Sequence, residues 1–480
     1  MNNALMEWSV LLPEIVLASG ICVLLVIDLF VRDSARDLSY LLAIFLLAGV
    51  AWVLIGTSPE NAAQLAAGGA YVADGLARVL KLFAVTAVAT VFLYSRPWLR
   101  SRKLHFGEYY VLGLFGLLGV MVLASGYSLL VSYIGLEILS LSLYAMVAFD
   151  RDSARSAEAA MKYFVLGAIA SGTLLYGMSL IYGITGTLQI AELQTAIAAK
   201  SEVVGLWVGL GFIVVGVAFK FGAVPFHMWV PDVYDGAPTP VTLYIGTAPK
   251  LGALALAVRL LLEGAEGLAS LWEPMLAALA VLSLVLGNVA AIAQTNIRRM
   301  LAYSTISHVG FILLGLIAGS PAGVQAALFY TIVYVIMAAG AFGFLVMLGS
   351  RGQEVTELDD LRGLWERSPW FTLMMVLLMI SMIGVPPLAG FYAKWWILAA
   401  LLNAGYMGLA IVGVLTSVIG AWYYLRVIRL MLFDNGGTAS TVGLPLDLRV
   451  VLSVNALLLL GIGLFPDRLL ELCAHAAALI

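Results

Sequence analysis

"KFGAVPFHMWVPDVYDGAPTPVTLYIGTAPK" runs from Lys220 to Lys250, with a lysine at each end and five prolines between. Before it stands the apolar run "GLWVGLGFIVVGVAF" (205–219), and after it "LGALALAVRLLL" (251–262). A run of roughly 20 apolar residues is enough to cross a bilayer. Here two such runs flank a proline-broken segment, and an ammonium group sits where each run meets the break. The fold is decided by what kind of chain tolerates that arrangement.

The 480 residues are 62% hydrophobic and only 11% charged, with mean hydropathy +1.03. Soluble domains carry about 25% charged residues, so composition alone points to an integral membrane protein. The net charge of −3 and the lack of a basic, aromatic-interleaved patch give no sign of nucleic-acid binding. Cys22 and Cys473 are the two cysteines; they exclude a cysteine-ligated iron–sulfur cluster or structural zinc and argue against a disulfide. No P-loop or dinucleotide fingerprint occurs. The glycines of "GLWVGLG" (Gly205, Gly209, Gly211) fall mid-span, where small residues let helices approach closely. The N-terminal run lacks the basic start of a signal peptide and reads as a retained first span.

The hydropathy pattern predicts an all-α bundle of fourteen spans, near 8–31, 38–57, 74–95, 107–125, 127–149, 157–183, 203–230, 238–262, 267–293, 299–318, 321–349, 369–403, 407–432 and 447–466. The whole chain, 1–480, is one polytopic domain. "LQIAELQTAIAAKSEV" reads as a short interfacial helix. Spans 7 and 12 contain Pro225 and the Pro386–Pro387 pair and are long enough to be discontinuous. Their five-span separation suggests two inverted repeats, 107–262 and 267–432, an odd number of spans reversing the second copy. Lys and Arg crowd the odd-numbered connections: Arg32 and Arg36; Arg96, Arg100, Arg102 and Lys103; Arg151 and Arg155; Arg298 and Arg299; Arg351, Arg362 and Arg367; Arg426, Arg429 and Arg449. The even-numbered connections hold Lys200. The positive-inside rule places the odd connections in the cytoplasm and both termini opposite.

A few ionisable residues remain deep in apolar sequence: Glu137, Lys162, Lys220, Lys250 and Lys394. A lysine at a span centre costs about 2.5–3.5 kcal/mol on insertion scales. Each therefore needs a counter-charge or a polar cavity, unless it snorkels to the headgroups. Snorkelling competes for Lys162 and is the expectation for Lys81; the break at Pro225 argues against it for Lys220. Buried lysines near a glutamate can titrate near neutrality, the property a proton carrier needs. His227 and His308 are candidate relays, each with a purely structural alternative.

"KFGAVPFHMWVPDVYDGAPTPV", "QTNIRRMLAYSTISHVGF" and "GVPPLAGFYAKWWIL" resemble signature segments of the antiporter-like membrane subunits of respiratory complex I and of their Mrp cation/proton antiporter relatives. The likeness runs through nearly the whole chain. It implies that Glu137 pairs with Lys220, that Lys162 lies near that pair, and that Lys250 and Lys394 are the central and terminal carriers of a proton path. It also implies a bacterial inner-membrane location and assembly with membrane and peripheral partners that include neighbouring antiporter-like subunits. FMN, iron–sulfur clusters and quinone would then belong to partner subunits, with no cofactor or metal in this chain. Alternatives are an Mrp-type Na⁺/H⁺ antiporter subunit, a membrane subunit of an energy-converting hydrogenase, or a passive scaffold.

Overall fold

The computed structural model describes residues 2–32, 35–57, 63–350, 354–439 and 445–478, with the side chains of 2–8 left aside. Arg351 and part of the 434–449 connection lie outside the described residues. Six long helices open the chain: α1 (Asn2–Asp28), α2 (Asp37–Gly56), α3 (Gly75–Ser101), α4 (Gly107–Ser125), α5 (Leu129–Val147) and α6 (Ala154–Thr185). A short helix α7 (Ile190–Ala198) follows, where the interfacial helix was expected. The seventh span divides into α8 (Val204–Phe221) and α9 (Trp229–Gly236), and the eighth into α10 (Thr239–Ile245) and α11 (Ala248–Ala257). Next come α12 (Ala269–Ile292), α13 (Ile297–Ile317) and α14 (Pro321–Gly349), then a four-residue helix α15 (Leu364–Arg367). The twelfth span is α16 (Pro369–Ile383) and α17 (Ala389–Asn403); α18 (Met407–Phe433), α19 (Leu446–Leu464) and α20 (Pro466–Ala477) complete the chain. Among the described residues, thirteen helical stretches are long and apolar enough to cross a membrane, and α16 is a shorter apolar one.

Hydropathy missed three features. The eighth span is broken at Gly246–Thr247, because Pro249 lacks the N–H that would continue the ladder; Thr247 Oγ1 instead bonds back to the carbonyls of Leu243 and Tyr244. A small antiparallel hairpin, β1 (Gln64–Ala66) with β2 (Tyr71–Ala73), precedes α3, too short to give a strand signal. The amphipathic α20 carries too many polar residues for a span search. One packing expectation divides: Gly209 lies against the carbonyl of Gly177 on α6, a Cβ there falling 3.1 Å from it, whereas a Cβ on Gly211 would meet open space.

Helix ends follow local chemistry. Asp74 caps α3 by accepting from the Ala77 N–H (2.8 Å), and Asn296 caps α13 by accepting from Arg298 and Arg299 N–H (2.9 and 3.1 Å). The helical stretch 239–263, α13 and α14 form the centre, each with 94% of its core window buried; α1, α2, α6, α18 and α19 are peripheral at 33%.

The odd connections converge on one face. Arg155 pairs with Asp235 (2.5 Å), Asn296 donates to Asp235 (2.9 Å), and Arg298 and Arg102 reach Glu354 (3.0 and 3.7 Å). On the opposite face Tyr127 N–H donates to Ala70 O and Leu129 N–H to Leu188 O (both 2.9 Å). There Gln325 also donates to the carbonyl of Leu470 in α20 (3.1 Å).

Both predicted breaks start the same way. Gly222 (φ 79) ends α8 and Gly384 (φ 89) ends α16, each in the left-handed region that favours glycine. A Cβ on Gly222 would also lie 2.6 Å from Val230 Cγ2. Gly222→Ala should therefore lower stability by roughly 1–2 kcal/mol from backbone strain, with more from the clash. Gly211→Ala should be neutral; thermal unfolding midpoints of the two variants check the contrast.

Candidate functional site

The C-terminus of a helix leaves carbonyls without partners and carries a partial negative charge. At the end of α8, Ala218 O accepts from the N–H groups of Gly222 and Ala223 (2.9 and 2.8 Å), and Phe219 O accepts from Gly222 N–H and from Trp229 Nε1 (3.0 and 3.1 Å). The carbonyl of Phe221 receives Lys250 Nζ at 2.8 Å. Lys250 is buried, 1% exposed, and its ammonium also lies 5.6 Å from the Trp229 ring centroid. The counter-charge that the buried lysine requires is thus supplied by the end of a neighbouring half-helix.

The second break repeats the device. Lys394 Nζ donates to the last carbonyls of α16, Met382 O (3.1 Å) and Ile383 O (2.8 Å), and to Ser417 Oγ on α18 (2.7 Å). The Phe311 ring lies 5.2 Å away. A Cβ on Gly384 would stand 2.9 Å from Lys394 Cδ, so the glycine that ends α16 also makes room for the lysine's stem.

Lys220 is buried in the last turn of α8 and points toward α5, donating to Ser140 Oγ at 2.9 Å. Glu137 sits one turn earlier on α5 and is half-buried. It accepts from Ser171 Oγ of α6, which is in turn 3.1 Å from Tyr133 OH. Glu137 and Lys220 make no direct ion pair among the described residues; the lysine meets the serine three residues on. The expected contact pair is a separated one.

His308 lies buried on α13 between two phenols: Nδ1 is 2.7 Å from Tyr330 OH and Nε2 3.1 Å from Tyr424 OH. Tyr424 OH also bonds Ser304 Oγ, and Tyr334 OH donates to Thr305 Oγ1 (2.9 Å). On the α12 side Asn288 donates to Ser307 Oγ (2.9 Å) and accepts from Tyr423 OH (3.1 Å). Ser304, Thr305, Ser307 and His308 thus each meet a hydroxyl or amide from a neighbouring helix. His227 stands apart in the first break, half-buried, its Nδ1 without a hydrogen-bond partner among the described residues.

Lys162 is placed elsewhere. It is exposed on α6 and pairs with Glu158 (2.8 Å) and Asp232 (3.0 Å), the latter also held by Arg299 (3.0 Å). These contacts tie it to the charge network of the odd face; Glu137 and Lys220 are not among its partners. Lys81 does not snorkel. It is buried and pairs with Glu14 of α1 at 2.7 Å, 3.3 Å from Tyr71 OH. A further buried cation, Arg259, pairs with Asp74 (2.7 Å) and Glu263 (2.6 Å) and was not singled out from sequence. The i,i+4 spacing of Arg259 and Glu263 was its available signal; the Asp74 contact, from 185 positions away, had none.

Residues 126–420 match the family described as NADH:quinone oxidoreductase/Mrp antiporter, transmembrane. The chain belongs to this family. It is 55% identical over 473 residues to the NADH-quinone oxidoreductase subunit N of Thioalkalivibrio sulfidiphilus, covering 98% of each chain. It is 50% identical over 480 residues to the subunit N of Thiobacillus denitrificans, covering 99% of each. A chain of respiratory complex I from Thermus thermophilus superposes with TM-score 0.82 at 33% identity, over 96% of this chain and 99% of that one. The proteins named subunit N combine this full-length coverage with 50–55% identity.

Uncapping should be local. Lys250→Leu is expected to speed amide hydrogen exchange at Gly222 and Ala223 while leaving 384–385 unchanged, and Lys394→Leu to do the reverse. Mass-spectrometric exchange of the purified complex distinguishes this from a global loosening.

Proposed function

We propose that this chain is a proton-translocating membrane subunit of an NADH–quinone oxidoreductase, in which Glu137, Lys220, Lys250 and Lys394 carry protons across the middle of the membrane. The observation that supports this most directly is the setting of Lys250 and Lys394. Both ammonium groups rest on backbone carbonyls at helix breaks with no carboxylate bound to either among the described residues. A lysine held by a fixed carboxylate keeps its proton, whereas one held by carbonyls and a serine hydroxyl can release it without stranding a buried anion. Lys220, on Ser140, has the same character, with Glu137 one turn away on the same helix as that serine. His308 and its phenols form the hydroxyl relay next to Lys394; Lys162 serves the odd-face network, and His227 keeps a secondary place.

Each station works by the same exchange. A protonated lysine passes its proton to a neighbouring hydroxyl or water, becomes a neutral amine, and later regains a proton from the other side. Loss of the charge weakens its hold on the half-helix end, so titration and the geometry of the break are linked. Residues 107–262 and 267–432 would be the inverted copies, each with one break ended by a left-handed glycine. NADH oxidation, with its flavin, iron–sulfur clusters and quinone, would take place in partner subunits. The full-length similarity to proteins named subunit N favours this over an Mrp-type antiporter or a hydrogenase subunit.

Two outcomes test the proposal. Arginine, with pKa above about 12, effectively never titrates. Lys250→Arg and Lys394→Arg should therefore lose ΔpH generation in vesicles about as fully as Lys250→Met and Lys394→Met, at matched complex content. Full pumping by the arginine variants would show that neither lysine titrates in turnover.

The odd face is assigned to the cytoplasm of a bacterial inner membrane from its arginines, with both termini on the other side. In a Cys22→Ser background, Asp152→Cys and Asn435→Cys should react with an impermeant thiol reagent from the cytoplasmic side only. Leu65→Cys and Glu202→Cys should react only from the opposite side. Labelling of Asp152→Cys and Glu202→Cys from the same side would overturn the topology.

A further inference from the structure

On the even face, α11 does not end as an α-helix. Residues Val258–Glu263 form a π turn, with Gly264 N–H bonded to Arg259 O five residues back (3.0 Å). Such turns interrupt the regular helix and recur at functional sites. This one carries Arg259, 1% exposed, into a cluster with Asp74 Oδ2 (2.7 Å), Glu263 Oε1 (2.6 Å) and the carbonyl of Ala124 (3.0 Å), above the Tyr127 ring at 5.6 Å.

The charges in this cluster do not cancel. One guanidinium faces two carboxylates, a net charge of −1 when both are ionised. The two carboxylates differ in their other bonds. Asp74 is fully engaged, accepting the Ala77 N–H as the cap of α3 with one oxygen and Arg259 with the other. Glu263 is the surplus acid. It lines a cavity of about 520 Å³ whose wall includes Tyr127, Gln194, Glu266, Trp272, Glu273 and Ser320. Gln194 and Glu266 are exposed, so the cavity reaches the surface of the even face. The other two acids in its wall have partners of their own: Gln194 donates to Glu266, and Tyr406 OH to Glu273 (2.6 Å).

We propose that Glu263 is the group that exchanges protons with the aqueous phase on the even face, and that this cavity is its water access. Protonation of Glu263 takes the cluster from −1 to neutral; release gives one proton to water in the cavity and restores the carboxylate beside Arg259. Asp74 and Arg259 are positioning residues that hold this acid at the end of the helix bearing Lys250. Thirteen residues separate Lys250 from Glu263, about 20 Å at 1.5 Å per residue. The groups that face Glu263 are Arg259, Asp74 and Tyr127, with Glu266 and Glu273 across the cavity.

The inference rests on the proton relay proposed above, and its test separates the two. In the assembled complex, Glu263→Gln keeps an oxygen for Arg259 but cannot titrate, and a merely structural carboxylate would tolerate it. Initial ΔpH generation in inverted vesicles should fall about tenfold or more, the scale of a lost acid–base group, while Glu263→Asp retains most of it. Wild-type pumping by Glu263→Gln alongside failure of Lys250→Met would overturn the outlet and leave the relay standing. Wild-type pumping by both would overturn the relay. Should Glu263→Gln not assemble, Ala191→Cys in the cavity wall, in a Cys22→Ser background, decides the question. A bulky impermeant thiol reagent applied from the even face lowers pumping if this cavity is the outlet, and unchanged pumping after complete modification rejects it.

Discussion

A lysine ammonium seated on the C-terminal carbonyls of a half-helix is the interaction on which the middle of this protein depends. Breaking a helix inside a bilayer exposes backbone groups that lipid cannot satisfy. Burying an ammonium there leaves a charge that lipid cannot solvate. Placed together, the two defects answer each other: the carbonyls of Phe221, Met382 and Ile383 receive hydrogen-bond donors, and Lys250 and Lys394 receive negative potential. A cation at a helix C-terminus is favoured by about 0.3–2 kcal/mol depending on burial. That balance is small enough to be reversed by a proton. A fixed carboxylate in the same position would have made a stronger bond and held the proton more firmly.

The two membrane faces stabilise the bundle by different means. On the odd face, five connections share a charge network built on Asp232, Asp235 and Glu354, and much of it is partly exposed. Exposed pairs contribute little individually; what they provide is registration of helix ends against one another. On the even face the ionic contacts are fewer and buried: Lys81 with Glu14, and Arg259 with Asp74 and Glu263. Removing one partner from such a site strands the other, at a cost of about 3–5 kcal/mol. The short hairpin and α20 pack on this face too, the hairpin turn tied by the Tyr127 N–H to Ala70 O bond and α20 by the Gln325 side chain.

How much of this was legible in the sequence depends on whether the cause was local. Span length and apolarity are one-dimensional, so the long helices were readable, and the prolines of "KFGAVP" and "GVPPLAG" announced two breaks. The third, at Gly246–Thr247, was hidden because hydropathy stays high across Pro249. Lys220, Lys250 and Lys394 stood out as charges in apolar runs. Their partners did not, because a backbone carbonyl contributed by Phe221 or Ile383 has no sequence signature. Glu137 was paired with Lys220 by family resemblance, and Ser171, the hydroxyl that bonds it, carried no signal of its own. Lys81 was misjudged because its partner, Glu14, lies 67 positions away in the first span. Family resemblance supplied the roles that spacing could not.

The two breaks share a fastening but differ in who holds it. Lys394 reaches back from α17 to the end of α16, so donor and acceptor belong to one folded-over rod, and the loop between them closes on itself. Lys250 is contributed by α11 to the end of α8, across α9 and α10. In the second break the carbonyl grip lies within a single hairpin, and Ser417 of α18 holds the same ammonium from outside it. In the first the grip joins two separate rods, one of which runs on to the even face. Slack in the first fastening therefore passes along a rod to the even face, whereas slack in the second is shared between its own hairpin and a neighbouring helix.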